Sequence, residues 1–67
     1  MGTKYQVVCR WNEYEFDGVD YSVEKYNGIK GGIYVGDGVH VRYTDKMGTK
    51  QECQDWIFHK ESSMYEY

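Results

Sequence analysis

The 67-residue chain contains no proline and no leucine. Without proline it lacks one common device that blunts the exposed edges of β-sheets. Without leucine, much of its burial must come from the eight tyrosines, whose rings can pack on one side and keep the hydroxyl in water. A chain this short buries only about 60% of the surface that its unfolded form exposes. We therefore expect a single domain, residues 1–67, with a thin core.

Cysteine is scarce and long apolar runs are missing. Cys9 and Cys53 form no CxxC pair, and together with His40 and His59 they are too scattered to indicate a metal site. No membrane-spanning run and no cationic, apolar leader is present. These features predict a cytoplasmic protein with reduced thiols, no bound metal and no membrane partner.

Signatures of catalysis and of phosphate binding are also missing. The stretch Gly36-Asp37-Gly38 continues into Val-His-Val, so a dinucleotide fingerprint would lack its third glycine, and no Gly-Lys-Ser/Thr follows any loop. The chain has no nucleophile motif and no paired carboxylates within an apolar run. Ligand pockets typically measure about 300–1,000 Å³, which a thin core seldom encloses. We predict a protein that is not an enzyme and uses no cofactor.

The N-terminal third predicts a hairpin. Residues Tyr5–Trp11 alternate as in a half-buried strand, and a change of phase predicts a turn or bulge near Asn12-Glu13. Asp17-Gly18 suits a two-residue type I′ turn, which would pair Tyr14 with Tyr21. That register also sets two acids, Glu15 and Asp20, opposite each other, at a small cost in stability.

A glycine-rich stretch, Gly28–Gly48, holds six of the eight glycines and predicts the central hairpin. Before it, Tyr21–Tyr26 has the composition of a strand, although one helical turn is an alternative. The Asn27-Gly28 pair ends that segment, either as a type I′ hairpin turn or as the stop of a helix.

Packing favours one register for the central hairpin. A three-residue loop, Gly36-Asp37-Gly38 with Gly38 in the left-handed conformation, pairs Val35 with Val39. The same register pairs Ile33 with Val41, whereas a two-residue turn at Asp37-Gly38 would mix apolar and charged groups on both faces. The apolar face then carries Ile33, Val35, Val39, Val41 and Tyr43. The polar, outer face carries Tyr34, His40, Arg42 and Thr44.

A helix is predicted after this hairpin. Thr49-Lys50-Gln51-Glu52 has the spacing of a capping box, and Ser62-Ser63 predicts the end of the helix. One stripe along it carries Cys53, Trp56, Ile57, the stem of Lys60, and Met64. An alternating strand through Trp56 and Phe58 is the alternative. The predicted fold is α+β: a small antiparallel sheet of about four strands, a meander of hairpins, with one C-terminal helix packed on one face.

Charge is uneven along the chain, although its formal net charge is only −3. From Trp11 to Glu24 the chain has five acidic residues and no basic one. From Lys25 to Lys50 it has five basic residues and two acidic ones. Such segregation can steer a charged partner. The residues that we expect to contact a partner combine these acids with nearby tyrosines and the polar hairpin face: Glu13, Tyr14, Glu15, Asp17, Asp20, Glu24, Tyr34, His40 and Arg42.

The chain is small, rich in tyrosine and without a catalytic motif. These features indicate a protein that acts by binding another macromolecule. In this profile the chain resembles the small accessory proteins that bacteriophages and mobile elements use against host defences, anti-CRISPR proteins among them; no motif carries the resemblance. We expect a non-enzymatic inhibitor or modulator of a protein or nucleoprotein partner, acting through an acidic, tyrosine-rich surface, in the cytoplasm of a bacterial host if a phage encodes it.

Two alternatives belong to other classes. One is a homo-oligomer, a homodimer for example, that captures a small ligand such as a nucleotide with Tyr34, His40 and Arg42. The other is a sheet-edge module that accepts a peptide strand. Direct binding of nucleic acid is disfavoured by the acidic net charge and by the lack of an RNP-like run.

Overall fold

The computed structural model of the protein describes residues 2–15 and 18–63, which form a four-stranded antiparallel sheet and one helix. The strands are β1 (Tyr5–Asn12), β2 (Asp20–Lys25), β3 (Gly31–Gly36) and β4 (Val39–Gly48), and the helix is α1 (Lys50–Ser63). The predicted α+β class, the four strands and the C-terminal helix are confirmed. Asp17 and Met64, which carried parts of the sequence predictions, lie outside the described residues.

The strand order is β2-β1-β4-β3, so β1 and β4 form the centre of the sheet and β2 and β3 its two edges. The chain between β2 and β3 must therefore cross from one edge to the other, instead of closing a hairpin at Asn27-Gly28. Ile29 N–H donates to Asn27 Oδ1 (3.0 Å) within this connection. The buried Gln6 donates from Nε2 to the carbonyls of Ile29 (2.7 Å) and Thr44 (3.2 Å), which holds the connection against β1 and β4.

The register predicted for the first hairpin is wrong. Tyr21 lies opposite Cys9, not Tyr14, and Asp20 lies opposite Arg10. β1 ends at Asn12, where a turn follows as predicted, and a longer loop leads to β2. The observed register sets opposite charges across from each other, which avoids the repulsion between two acids that the predicted register required.

The three-residue loop predicted for the central hairpin is wrong, and so is the pairing of Val35 with Val39. Ile33 lies opposite Val41 as predicted, but the partner of Val39 is Gly36, because a bulge falls between Tyr34 and Gly36. The turn has two residues, Asp37 (φ 53°) and Gly38 (φ 81°), whose positive angles are those of a type I′ turn. The bulge absorbs Val35, so a two-residue turn becomes compatible with a single apolar face.

The helix begins with the predicted capping box. Glu52 N–H donates to Thr49 Oγ1 (3.1 Å), and Thr49 N–H donates to Glu52 Oε1 (2.9 Å). The helix ends at Ser63 as predicted, and the alternative strand through Trp56 is wrong. Among the described residues, no helix combines the length and the apolar character that crossing a bilayer would require.

The helix packs on one face of β1, β2 and β4 and does not contact β3 within the described ranges. Cys53 of α1 is fully buried, and Val7 and Cys9 of β1 are buried with it. We call this the helix-side face. Because Cys9 lies opposite Arg42, it is also the face of Tyr34, His40 and Arg42, which had been predicted to point outward. Ile33 and Val41 lie on the other face, which we call the open face because the helix does not pack on it, although Val41 itself is buried.

Candidate functional site

Three ring-bearing side chains form a row across three strands of the helix-side face. Trp11 of β1 lies opposite His40 of β4, which lies opposite Tyr34 of β3. The rings of Trp11 and His40 stack at 5.3 Å between centroids with an interplanar angle of 6°, and the rings of Tyr34 and His40 are 4.9 Å apart at 54°. We call Trp11, His40 and Tyr34 the ring row. Tyr34 is 56% exposed, so the row ends in an open aromatic surface.

Hydrogen bonds at the turn end of the sheet hold the ring row in place. His40 Nε2 lies 2.9 Å from Glu13 Oε2, and the Tyr34 hydroxyl accepts a hydrogen bond of 2.9 Å from Gly38 N–H. Glu13 N–H in turn donates to the Gly38 carbonyl (2.8 Å). The loop after β1, the type I′ turn and two members of the row are therefore joined into one unit.

A second row lies two residues further along the strands. It contains Tyr21, Cys9, Arg42 and Gly32, one from each strand, each opposite the next. From α1, the Trp56 ring meets the Tyr21 ring edge to face with centroids 5.9 Å apart. The helix and three members of this row, Tyr21, Cys9 and Arg42, line an open groove of about 570 Å³.

The groove combines aromatic rings with positive charge. Lys30, Arg42 and Lys60 line it, and one acid, Asp45, lies with them. The Lys60 ammonium lies 5.3 Å from the centre of the Trp56 ring, a cation–π geometry.

Two side chains that line the groove, Cys9 and Tyr21, have raised pKa values. Burial raises the pKa of the Cys9 thiol, and the charges of Arg42 and Lys60 partly offset the rise. Burial likewise raises the pKa of Tyr21, with Cys9 and Glu61 adding to the rise. Both groups therefore stay protonated and neutral at neutral pH, so the positive charge of the groove comes from its basic side chains.

The structure divides the sequence-predicted contact residues between separate places. Glu13, Tyr34, His40 and Arg42 come together on the helix-side face. Tyr14 and Glu15 are exposed in the loop after β1. Asp20 and Glu24 belong to β2, at the opposite edge from β3, and lie on the open face beside Arg10 and Gln6. Asp17 is outside the described residues. The described acids therefore do not form one continuous surface.

Several side chains of the site were not among the predicted contact residues: Trp11, Tyr21, Lys30, Trp56 and Lys60. Alternation along β1 did place Trp11 and Cys9 on one face. Their neighbours on β4 and α1 are distant in sequence, however, and no local pattern signals such pairing. Within the described part of the chain, no group of three or more His, Cys, Asp or Glu side chains is arranged to hold a metal ion.

Comparison of the chain with protein family models, curated proteins and solved structures found no match. The site is therefore characterised by its geometry alone. That geometry offers rings for stacking and edge contacts, and cations for an anionic group. Both properties belong to binding surfaces.

Proposed function

We propose that this protein is a non-enzymatic binding protein that modulates a protein or nucleoprotein partner through the ring row and the adjoining Arg42. The observation that carries the proposal is the alignment of Trp11, His40 and Tyr34 across three strands, ending on β3, which the helix does not contact within the described residues. Trp, Tyr and Arg dominate the hot spots of interfaces, where rigid rings bury a large area at little cost in conformational entropy. An inhibitor of the phage anti-defence kind is the member of this class that small size and high tyrosine content favour.

The placement of the acids favours this surface over the acidic one expected from the sequence. Asp20 and Glu24 lie on the open face at the far edge of the sheet. Glu13 is engaged by His40, so its carboxylate supports the ring row from within. A partner that contacted all of these acids at once would have to bridge two faces of a thin sheet. A partner on the ring row meets a single surface.

The test compares two double variants. In the ring variant, Tyr34→Ser and His40→Ser remove two members of the row. In the control, Asp20→Lys and Glu24→Lys reverse two charges on the open face. Tagged proteins with folds verified by circular dichroism are used to capture partners from bacterial lysate, and the captured proteins are quantified by mass spectrometry.

We expect a stoichiometric partner that the wild type and the control retain, and that the ring variant loses about tenfold or more. Retention by the ring variant together with loss by the charge-reversed control would instead support the acidic surface. Recovery of no stoichiometric partner by the wild type would overturn the proposal.

A second candidate function has an observation of its own. The edge strand β3 (Gly31–Gly36) contains no charged residue, whereas β2 at the other edge carries Asp20, Glu24 and Lys25. An uncharged edge without proline is open to a strand from a partner. Val35→Lys, at a site that is 62% exposed, would guard this edge and leave the ring row intact. Loss of the partner in this variant, with retention in the ring variant, would favour strand addition.

A further inference from the structure

The groove beside the ring row has the size and the chemistry of a ligand site. Its volume of about 570 Å³ falls within the usual range of small-molecule sites, about 300–1,000 Å³. Its walls come from four parts of the chain: β1, β2, the β3–β4 hairpin and α1. The side chains that carry its chemistry are Tyr21, Lys30, Arg42, Trp56 and Lys60.

Positive charge is concentrated here in a protein that is acidic as a whole. Arg42 from β4, Lys30 from the connection before β3, and Lys60 from α1 reach the same groove. The only acid in the lining is Asp45, so the described lining is positive by two charges. Arginine offers a planar fork of donors that matches phosphate oxygens, and lysine adds mobile charge. The groove therefore complements a multiply charged anion.

Gly32 lies on β3 between Lys30, which lines the groove, and Tyr34 of the ring row. It lies opposite Arg42 on β3, two residues before Tyr34, and a Cβ built on it would meet nothing within 4 Å. Its φ is also outside the left-handed region, so neither the backbone nor a close neighbour requires glycine at this position. A side chain here would stand between the cations and the rings. The absence of one leaves an open path from Arg42 to Tyr34.

The spacing of the two rows indicates what the ligand must carry. Tyr34 and His40 lie two residues from Gly32 and Arg42 along their strands, a separation of about 6.6–6.8 Å. One end of the site thus offers the rings of Tyr34 and His40, and the other offers cations, together with the rings of Tyr21 and Trp56. A nucleoside phosphate has an aromatic base at one end and a phosphate at the other. We infer that the helix-side face binds a nucleoside phosphate, with the base against Tyr34 and His40 and the phosphate at Arg42 and Lys30.

The inference goes beyond the proposed partner and does not depend on it, although both use Tyr34, His40 and Arg42. The ligand chemistry has two sources, a free nucleotide or a nucleotide unit of a single strand. Probes are the four ribonucleoside 5′-monophosphates, the corresponding nucleosides, inorganic phosphate and short single-stranded oligonucleotides. Binding is measured by isothermal titration calorimetry. Tighter binding of an oligonucleotide than of every mononucleotide assigns the source to nucleic acid, and the reverse order assigns it to a free nucleotide.

Two groove variants and one control make the test specific. Gly32→Val fills the path between the two rows with a residue suited to strands. Arg42→Gln removes the charge and provides a second variant should Gly32→Val fail to fold. Ser22→Val is the control, because it adds the same side chain to an exposed strand position on the open face.

At least one nucleotide should bind about tenfold or more tightly than both its nucleoside and inorganic phosphate, because only the nucleotide engages both rows. Gly32→Val and Arg42→Gln should each weaken it about tenfold, and Ser22→Val should not. Bound nucleotide should also slow alkylation of Cys9, which lines the groove, relative to Cys53.

Absence of binding by every nucleotide and oligonucleotide, or equal affinity for nucleotide and inorganic phosphate, would overturn the inference. So would undiminished affinity in both groove variants. A partner captured by the Gly32→Val variant as well as by wild type, together with lost nucleotide affinity, would separate this site from the proposed partner surface.

Discussion

His40 Nε2 lies 2.9 Å from Glu13 Oε2, and this contact joins the β3–β4 hairpin to the loop that follows β1. On its other sides the same imidazole stacks on Trp11 and meets the ring of Tyr34. The Glu13 carboxylate therefore orients the middle member of the ring row. Its role is to position a ring, since a polar contact this exposed adds little stability.

The first prediction separates orientation from stability at this contact. Glu13→Gln should change the free energy of unfolding by less than about 1 kcal/mol, because the two side chains are 30% and 45% exposed. It should nevertheless shift the ring resonances of His40 in NMR spectra. Glu15→Gln, in the same exposed loop, is the control and should leave those resonances in place. A loss of stability above about 2 kcal/mol on urea unfolding would contradict the exposed character of the pair.

Two glycines with opposite surroundings provide the second prediction. Gly38 has φ 81°, and a Cβ there would collide with the ring of Tyr14, whereas a Cβ at Gly32 meets open space. Gly38→Ala should therefore cost more than about 1 kcal/mol of unfolding free energy, and Gly32→Ala should be neutral or slightly stabilising. Urea unfolding of both variants checks the difference. Equal effects of the two substitutions would argue against the type I′ turn.

Buried Gln6 underlies the third prediction. Its Nε2 donates to two carbonyls, those of Ile29 and Thr44, and its side chain is inaccessible to solvent. Gln6→Leu leaves both acceptors without this donor and should cost about 1–3 kcal/mol. Gln6→Glu should cost more at neutral pH, because a carboxylate would face two carbonyl oxygens. That excess should shrink as the pH falls, since a protonated carboxyl can donate; urea unfolding at two pH values measures it.

How much of this fold the sequence predicts depends on how local each signal is. The helix start was predictable, because the capping box at Thr49–Glu52 lies within four consecutive residues. The register at Val35 was not predictable. Val35 is the extra residue of a bulge, and the apolar alternation on either side of it looks the same with or without the bulge. The pairing of Cys9 with Tyr21 was missed because Asp17-Gly18 is a strong turn signal, whereas the observed register depends on what packs under α1.

The candidate site was harder to predict than the fold. Tyr34, His40 and Arg42 were identified from alternation in one hairpin, and they do share a face. Trp11 joins them only through the pairing of β1 with β4, a contact between distant parts of the chain that no periodicity reveals. Alternation also cannot say which face of a sheet a helix covers. The helix packs on the face that carries His40 and Arg42, because Val7, Cys9 and Cys53 are buried there.

The two thiols supply the fourth prediction. Burial raises the pKa of Cys9 and of Cys53; Arg42 and Lys60 offset part of the rise at Cys9, whereas at Cys53 the offset from Lys46 is opposed by Glu52. Native protein should therefore react slowly with iodoacetamide, with Cys9 ahead of the fully buried Cys53, and peptide mapping by mass spectrometry can rank them. Faster alkylation of Cys53 than of Cys9 would contradict this order.

The raised thiol pKa values also have a consequence for stability. A thiol whose pKa is higher in the folded state contributes stability below its unfolded pKa and loses it as the pH rises through the folded value. Stability should accordingly decline on the alkaline side, above the ordinary range of thiols. The Cys9→Ala, Cys53→Ala double variant should be less stable overall but should lose part of that decline. An unchanged alkaline slope in the variant would show that other groups cause it.

The capping box of α1 supports the fifth prediction. Thr49→Ala removes the hydroxyl that accepts the Glu52 N–H and should cost about 1 kcal/mol, whereas Thr49→Ser should retain most of the stability. Hydrogen bonds from the Thr49 backbone and side chain lower the pKa of Glu52. Stability from this carboxylate is then present above its unfolded pKa and is lost as the pH falls through the lower, folded value. In Glu52→Gln, the midpoint of thermal unfolding, followed by circular dichroism, should therefore fall less steeply as the pH is lowered through this range. This account of the helix start would be contradicted if Glu52→Gln left the pH dependence of stability in acid unchanged. It would also be contradicted if Thr49→Ala and Thr49→Ser lost the same unfolding free energy.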